Sequence, residues 1–477
     1  MEWQVLRTSS VPLYQQLVTA IKQKIMTGEL IPGDRLPSER HLSEQLQVNR
    51  STIIRAYDEL AAEGIVTKKR GSGTLVSHEF DVKSRYVMNW RRFLKADEEE
   101  TSPSYLYKKA LQHQLTCYEE TIIDGYTGEL PQTMIPPFNL KEMKWHDFLQ
   151  AGVETEAFGI ASLRHMLVEF IDQQLDYQMN VNELLLTAGG QQSLFFIINA
   201  LLKTGDIVAI ESPSYFYSLP MFENLGIKTI GIPMEEDGIN LSYLEKMIKN
   251  NAIKMLFVTP SFQNPTTISM SLERKKALIA LCEKYQVIIV EDDVYGLLSY
   301  KTNKESLLKK LSSENVIYVG SLTKVLGKTI QLGWVNAPQR VLDALVKIRE
   351  DWEQPLSVFP QMLVSQLMMS ADFPVLVDQL RQNLYQKVTF LHRLIQSELG
   401  TMFRCEMPKG GYYLWLTYEG ERLNVNDWEF LLKEKILVFP SFLLTDNAQS
   451  IRINAANLRT NEMVYLVHVL KNRLTKK

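Results

Sequence analysis

The chain has 477 residues, 45% of them hydrophobic and 22% charged, with a formal net charge of -3. That length exceeds one ordinary core and suits about three domain-sized units, while the composition excludes a disordered or membrane-embedded chain. The charge excludes a protein that coats nucleic acid along its whole length, but not a small DNA-reading module.

Cys117, Cys282 and Cys405 are far apart and odd in number. They form neither a zinc-type pair nor a disulfide framework, so we expect no metal and a reducing compartment. The first seven residues lack the basic-then-apolar layout of a secretory leader. The longest apolar run, 194–202, is well short of a bilayer. These features predict a cytoplasmic protein with no membrane partner.

In chain order, Pro12 opens a helix whose Leu13, Leu17, Ile21 and Ile25 share one face, and Gly28 stops it. The segment IPGDRLPSER (31–40) supplies a Pro-Gly turn and then Ser38 before a short helix over 39–46. A turn at 47–49 leads to a third helix over 51–63, with Ile53, Tyr57 and Leu60 on its buried side and Gly64 at its end. The β-branched runs 65–67 and 74–76 flank KKRGSG and read as a two-stranded wing. From 78 to 107 the pattern fades into a charged linker containing DEEETSPS, with a short helix near 90–95. Beyond it, residues 108–477 alternate helical segments with β-branched runs at 207–210, 255–258, 287–290 and 316–319. Such alternation implies a mostly parallel sheet, whose ligands bind at the carboxyl ends of the strands.

Residues 1–77 have the order of a winged helix-turn-helix, in which the second helix of the motif enters the major groove. Its start, Asn49-Arg50-Ser51-Thr52, presents one long cation and three short polar groups. Arginine can read a guanine edge, and serine or threonine can serve a base or a phosphate. Arg40, Arg55, Lys68, Lys69 and Arg70 suit phosphates, and Gly71, Ser72 and Gly73 form the wing tip. The plain alternative is a small helical interaction domain with a solvated charged face. Against it, LYQQL, TGEL, PGDRLPSER, LSEQLQVNRSTIIRAYDELAAEGIV and GSGT resemble the GntR-family winged helix over nearly all of residues 10–76. By that resemblance Arg40, Arg50, Ser51, Thr52 and Gly71–Gly73 contact double-stranded operator DNA.

In the C-terminal part, Lys324 lies just past the run 316–319, in GSLTK. A lysine withdrawn from bulk water sheds its proton more readily and can form a Schiff base with an aldehyde cofactor. Asp292, at the end of another run, suits a pyridinium nitrogen. Tyr295 and Asn264 suit a phenolic oxygen, and Tyr215 can stack on a flat ring. Gly189, Gly190 and Gln191 offer backbone N–H groups at a helix start, joined by the hydroxyls of Ser321 and Thr323, as a phosphate seat. Taken singly, each has a structural explanation, as a core aromatic, a helix cap or a turn. Their shared position on strand-end loops is harder to ascribe to packing.

That order resembles the fold-type-I aminotransferases from about Tyr126 onward, carried by FGIASLR, TAGGQQ, the PSY loop, QNPT, EDDVY, SLTK, GGYYLWL and IRINAA. The resemblance implies pyridoxal 5'-phosphate, with Lys324 as the aldimine lysine, Asp292 on the pyridine nitrogen, and Asn264 and Tyr295 on the phenolic oxygen. Tyr215 would stack, Gly190, Gln191 and Ser321 would cradle the phosphate, and Arg452 would take an effector carboxylate. One departure is Gln331, which stands where the family's Pro-Gly-x-Arg-x-Gly pattern has a phosphate-binding arginine; Lys328 lies nearby. Losing such a charge-assisted contact costs on the order of 1.5–3 kcal/mol.

The fusion resembles the MocR/GabR subfamily of GntR-family regulators. It implies a multidomain homodimer, with an N-terminal winged helix and a C-terminal α/β fold-type-I domain. That domain would act as a sensor of an amino compound or of the cofactor itself rather than as a working transaminase. The alternatives are an active aminotransferase with a DNA-binding arm, a domain that has lost the cofactor, and a dimerisation scaffold.

Overall fold

The computed structural model describes residues 11–26, 29–69, 73–77, 102–116, 122–140, 142–300, 306–352, 356–445 and 447–474. The expectations placed on Gly28, Arg70, Gly71, Ser72, Cys117, the helix near 90–95 and residues 78–101 of the expected 78–107 linker lie outside these residues, while 103–107 form the start of a helix. The chain divides into two compact units, Met1–Glu100 and Thr101–Lys477.

The first unit contains α1 (Leu13–Met26), α2 (Glu39–Leu46), α3 (Arg50–Ala62), β1 (Val66–Lys69) and β2 (Gly73–Val76). Leu17, Val18 and Ile21 bury the inner face of α1 against Ile53, Ala56, Tyr57 and Leu60 of α3, following the helical spacing of these apolar residues. Ser38 caps α2 by accepting from the His41 N–H, and Asn49 caps α3 by accepting from the Ser51 N–H, each satisfying an orphan donor of the first turn. Gln47, in the left-handed region, turns the chain sharply between α2 and α3. Strands β1 and β2 pair antiparallel, Val66 opposite Val76, to form the wing.

The second unit begins with α4 (Pro103–Thr116), whose Tyr107 and Leu111 belong to the core of this unit. Next come β3 (Ile123–Asp124), α5 (Trp145–Glu154), α6 (Ala161–Leu175), β4 (Leu184–Thr187) and α7 (Gly190–Leu201). Strands β5 (Ile207–Ser212), β6 (Lys228–Glu235), β7 (Gly238–Ile239), β8 (Ile253–Val258), β9 (Ile288–Asp292), β10 (Val316–Ser321) and β11 (Gly333–Asn336) follow. An eight-stranded sheet has the order β4-β11-β10-β9-β8-β5-β6-β7. Strands β6, β5, β8, β9 and β10 pair parallel, whereas β11 runs antiparallel to both β10 and β4, and β7 antiparallel to β6.

Both faces of the sheet are covered. Val208, Ile210, Phe257 and Val290 pack toward α7 and the helix Gln339–Trp352. The alternate residues Ala209, Leu256 and Ile289 pack toward the helices Leu241–Asn250 and Leu272–Tyr285. Two buried faces explain the continuous apolar strands in the sequence.

The C-terminal part adds β12 (Phe403–Arg404), β13 (Tyr413–Tyr418), β14 (Ile436–Leu437), β15 (Phe439–Pro440) and β16 (Ser450–Asn454). Of these, β12-β13-β16-β15 form an antiparallel sheet. It shares a core with the helices Phe373–Leu399 and Thr460–Leu474, through Val388, Leu391, Ile395, Leu466 and Leu470. Among the described residues no helix is long and apolar enough to cross a membrane, and no cluster of acidic, histidine and cysteine side chains suits a metal.

Candidate functional site

The parallel strands deliver their carboxyl ends to one edge of the large sheet, and Gly190, Gln191, Tyr215, Asn264, Asp292, Tyr295, Ser321, Thr323 and Lys324 lie at or just after strand ends. Gly189 follows β4 with φ +89°, a conformation that glycine adopts without strain. A Cβ on Gly190 would sit 2.9 Å from Val294 Cγ1, so the first turn of α7 closes tightly on the loop after β9. A Cβ on Gly189 would lie 3.6 Å from Thr323 Oγ1, which brings the α7 N-terminus and the loop after β10 together. Ser321 Oγ donates to Thr323 Oγ1 at 3.0 Å and accepts from the Thr323 N–H at 3.1 Å. Free helix-start N–H groups and two hydroxyls make a seat for an anion. The Gln191 amide donates to the Tyr215 hydroxyl, tying the same helix start to the half-buried aromatic after β5.

Asp292 ends β9 and is buried, with Oδ1 accepting from the Val294 N–H at 3.2 Å. Burial pushes its carboxyl up to about 6, opposed by that hydrogen bond and by the charge of Lys324. A second cation at this position would favour the charged carboxylate further. Lys324 turns inward, its side chain only 17% exposed. Its Nζ donates to the Gly128 carbonyl at 2.9 Å and to Glu129 Oε1 at 3.0 Å, and lies 5.9 Å from the centre of the Tyr295 ring. Tyr295 is buried and donates to the Tyr413 hydroxyl at 3.2 Å. Burial raises its phenol well above the ordinary range, so it stays a donor at neutral pH.

Arg452, on β16, is buried between the rings of Tyr413 and Phe439, at 4.2 and 4.5 Å. Its Nη1 donates to Asn264 Oδ1 at 2.7 Å and its Nη2 to the Tyr126 carbonyl at 2.9 Å, while Nε is buried without a partner. The Asn264 carbonyl in turn accepts from the Tyr215 N–H at 2.9 Å. Asn454, two residues along β16, donates to the carbonyls of Thr127 and Glu129 at 2.7 and 2.9 Å. Residues 126–129 are therefore held by β16 of the small sheet and by Lys324 on the turn after β10.

In the first unit, Arg50 Nη2 donates to Glu39 Oε2 and Arg40 Nε to Glu44 Oε1, both at 3.0 Å. Ser51 and Thr52 stand on the first turn of α3, with the Ser51 hydroxyl donating to Asn49 Oδ1 at 2.9 Å. Gly73 has φ +85°, and a Cβ there would lie 2.9 Å from Arg35 Nε. The exposed Arg55 stacks 3.9 Å over the Tyr14 ring, and Lys68 pairs with Asp58 at 2.6 Å.

Residues 140–470 match the aminotransferase class I and II family. The chain belongs to that family. Residues 13–76 match the bacterial regulatory proteins of the gntR family, and the two together have the domain order of the MocR/GabR subfamily. The chain is 28% identical over 461 residues to the HTH-type transcriptional regulator YisV of Bacillus subtilis, covering 95% of this chain and 94% of that one. It is 26% identical over 436 residues to the HTH-type transcriptional regulator NorG of Staphylococcus aureus, covering 90% and 97%. Among solved structures, an archaeal alanine:glyoxylate aminotransferase superposes with a TM-score of 0.71 at 23% identity, over 82% of this chain and all of that one. A multiple substrate aminotransferase from Thermococcus profundus gives 0.69 at 19%, over 82% and 99%. The chain is a transcription regulator in which a DNA-binding GntR winged helix is fused to an aminotransferase-like domain of fold type I.

Within this aminotransferase-like domain, Lys328 and Gln331 are both exposed. Sequence reasoning missed Glu129, Tyr126 and Tyr413, and in the winged helix Arg35 and Glu39. Tyr413 lay within the quoted GGYYLWL stretch. Glu129 carried no local signal, because it reaches Lys324 across 195 residues of sequence.

Proposed function

We propose that the aminotransferase-like domain holds pyridoxal 5'-phosphate and uses it to sense an amino compound, or the cofactor itself, controlling how a homodimer of this chain engages operator DNA in the cytoplasm. The observation that carries this reading is the inward amine of Lys324, beside a buried Asp292 whose carboxyl burial pushes up to about 6. A carboxylate that is costly to bury alone is suited to a cationic pyridine nitrogen.

The donor set fits the cofactor. The N–H groups of Gly190 and Gln191 with the Ser321 and Thr323 hydroxyls would take its phosphate, Tyr215 would stack on its ring, and Asn264 and Tyr295 would face its phenolic oxygen. Bound there, the cofactor supplies an aldehyde that amines capture covalently and reversibly. Lys324 provides the resident amine. Arg452, already desolvated and flanked by two rings, would orient an effector bearing a carboxylate. An effector that favours one conformational state shifts the DNA-binding equilibrium by its differential affinity for the two. A homodimer suits paired operator half-sites, where Arg40, Arg50, Ser51, Thr52 and the Gly71–Gly73 wing tip would meet DNA.

The test is the absorbance spectrum of the purified chain with and without added pyridoxal phosphate, followed by titration of amines while operator affinity is measured. We expect a band near about 420 nm and at least one amine that changes both band and affinity. No band after cofactor addition sinks the cofactor reading and favours the domain that the exposed Gln331 would suggest, one that senses another ligand. Sustained turnover of an amino donor and a keto acid would identify a working transaminase.

A further inference from the structure

Glu129 belongs to none of the roles above, yet it is the anion nearest the amine on which they depend. Its Oε1 receives the Lys324 ammonium at 3.0 Å, while the Gly128 carbonyl receives the same nitrogen at 2.9 Å. Glu129 Oε2 is buried and has no hydrogen-bond partner, so Lys324 is the group that compensates this carboxylate. The backbone around it is fixed. Asn454 donates to the carbonyls of Thr127 and Glu129, and Tyr412 and Tyr413 both donate to the Gly128 carbonyl, at 2.9 and 3.2 Å. The carboxylate is thus presented to the amine on a rigid support rather than on a wandering surface loop.

We propose that Glu129 is a positioning residue that holds the free amine of Lys324, and so sets how readily the domain takes up and gives up its cofactor. The inference rests on the cofactor reading. Condensation requires the ammonium to lose a proton to water. The neutral nitrogen then bonds the aldehyde carbon, the carbon–nitrogen double bond forms, and the aldehyde oxygen leaves as water. Each step takes Lys324 away from an ion pair and leaves a partly buried carboxylate without its cation. The pair therefore favours the uncondensed amine. When an incoming amine displaces Lys324, Glu129 receives the released lysine again. An enzyme that turns over is served by a tightly retained cofactor; a sensor is served by one near balance, and a competing carboxylate supplies that balance.

The experiment is a double-mutant cycle on the full chain, with pyridoxal 5'-phosphate affinity read by absorbance titration. Covalent capture is read separately by borohydride reduction and intact mass. Glu129→Gln should bind the cofactor about five-fold more tightly, as expected from removing a competing, partly exposed ion pair, and should be trapped to a greater extent at sub-saturating cofactor. Glu129→Asp should fall between the two and serves if Glu129→Gln melts early. In a Lys324→Ala background the Glu129→Gln change should leave the remaining non-covalent affinity unaltered. Equal affinity for wild type and Glu129→Gln, weaker binding by the variant, or the same change with and without Lys324 overturns the proposal alone. A wild-type chain that shows no cofactor band overturns both this proposal and the functional reading beneath it.

Discussion

On the winged helix, Arg40 and Arg50 extend into solvent, 82% and 62% exposed, and hold Glu44 and Glu39. In the second unit, Asp292 at a strand end of the large sheet and Arg452 on β16 of the small one are buried, and their partners are fixed by backbone or by aromatic rings. Exposed pairs are worth roughly 0–1 kcal/mol, so an arginine can exchange its carboxylate for a phosphate or a base at little cost. Buried charges carry desolvation penalties of several kcal/mol and tolerate only the partner they were built for. One unit is arranged for exchange with a polyanion, the other for one ligand of defined shape.

The largest break in this comparison comes at the amine. Lys324→Ala should abolish borohydride-trappable cofactor entirely while leaving the effector-free affinity for DNA unchanged, measured by mass spectrometry and by fluorescence anisotropy. Next is Glu211, which is fully buried and accepts from the Gln263 amide at 3.1 Å. Burial raises its carboxyl from 4.5 to about 8. The folded chain therefore keeps a proton that the unfolded chain has released, and native stability falls as pH rises from 4.5 toward 8. Glu211→Gln escapes this loss. Its advantage should be near zero below pH 4.5, grow to about 3–6 kcal/mol by pH 8 and then level off, read from unfolding curves across that range. A flat difference would show that the carboxyl is not held protonated.

Smaller effects belong to the exposed unit. Arg50→Ala should cost about 1–3 kcal/mol in operator affinity if the side chain reads a base. If it meets only phosphate, all sequences should weaken alike and the salt slope should drop by about one. Smallest of all, Glu39→Gln frees Arg50 from its carboxylate and should tighten DNA binding by about two- to five-fold at low salt, fading as salt is added.

The sequence was most legible where local chemistry decides structure. The caps Ser38 and Asn49 and the apolar spacing of Leu17, Ile21, Ile53, Tyr57 and Leu60 locate the helices of the first unit to within a residue or two. In the large unit, the four β-branched runs became β5, β8, β9 and β10, and because these run parallel, the residues just after them gather at one edge. The antiparallel β11 was hidden, since a four-residue strand carries no sign of its direction. The contact of Arg55 with the Tyr14 ring had no local signal, because it depends on the crossing of α1 and α3. The partner of Lys324 was equally out of reach, for it is set by how Tyr413 and Asn454 clamp a distant segment.

The triple use of one carbonyl has a mechanical consequence. Gly128 O is shared by Lys324, Tyr412 and Tyr413, so residues 126–129 cannot slide without altering what surrounds the amine. Those residues follow α4 and β3, both packed into the core of the same unit, so a rearrangement there is felt at the nitrogen itself.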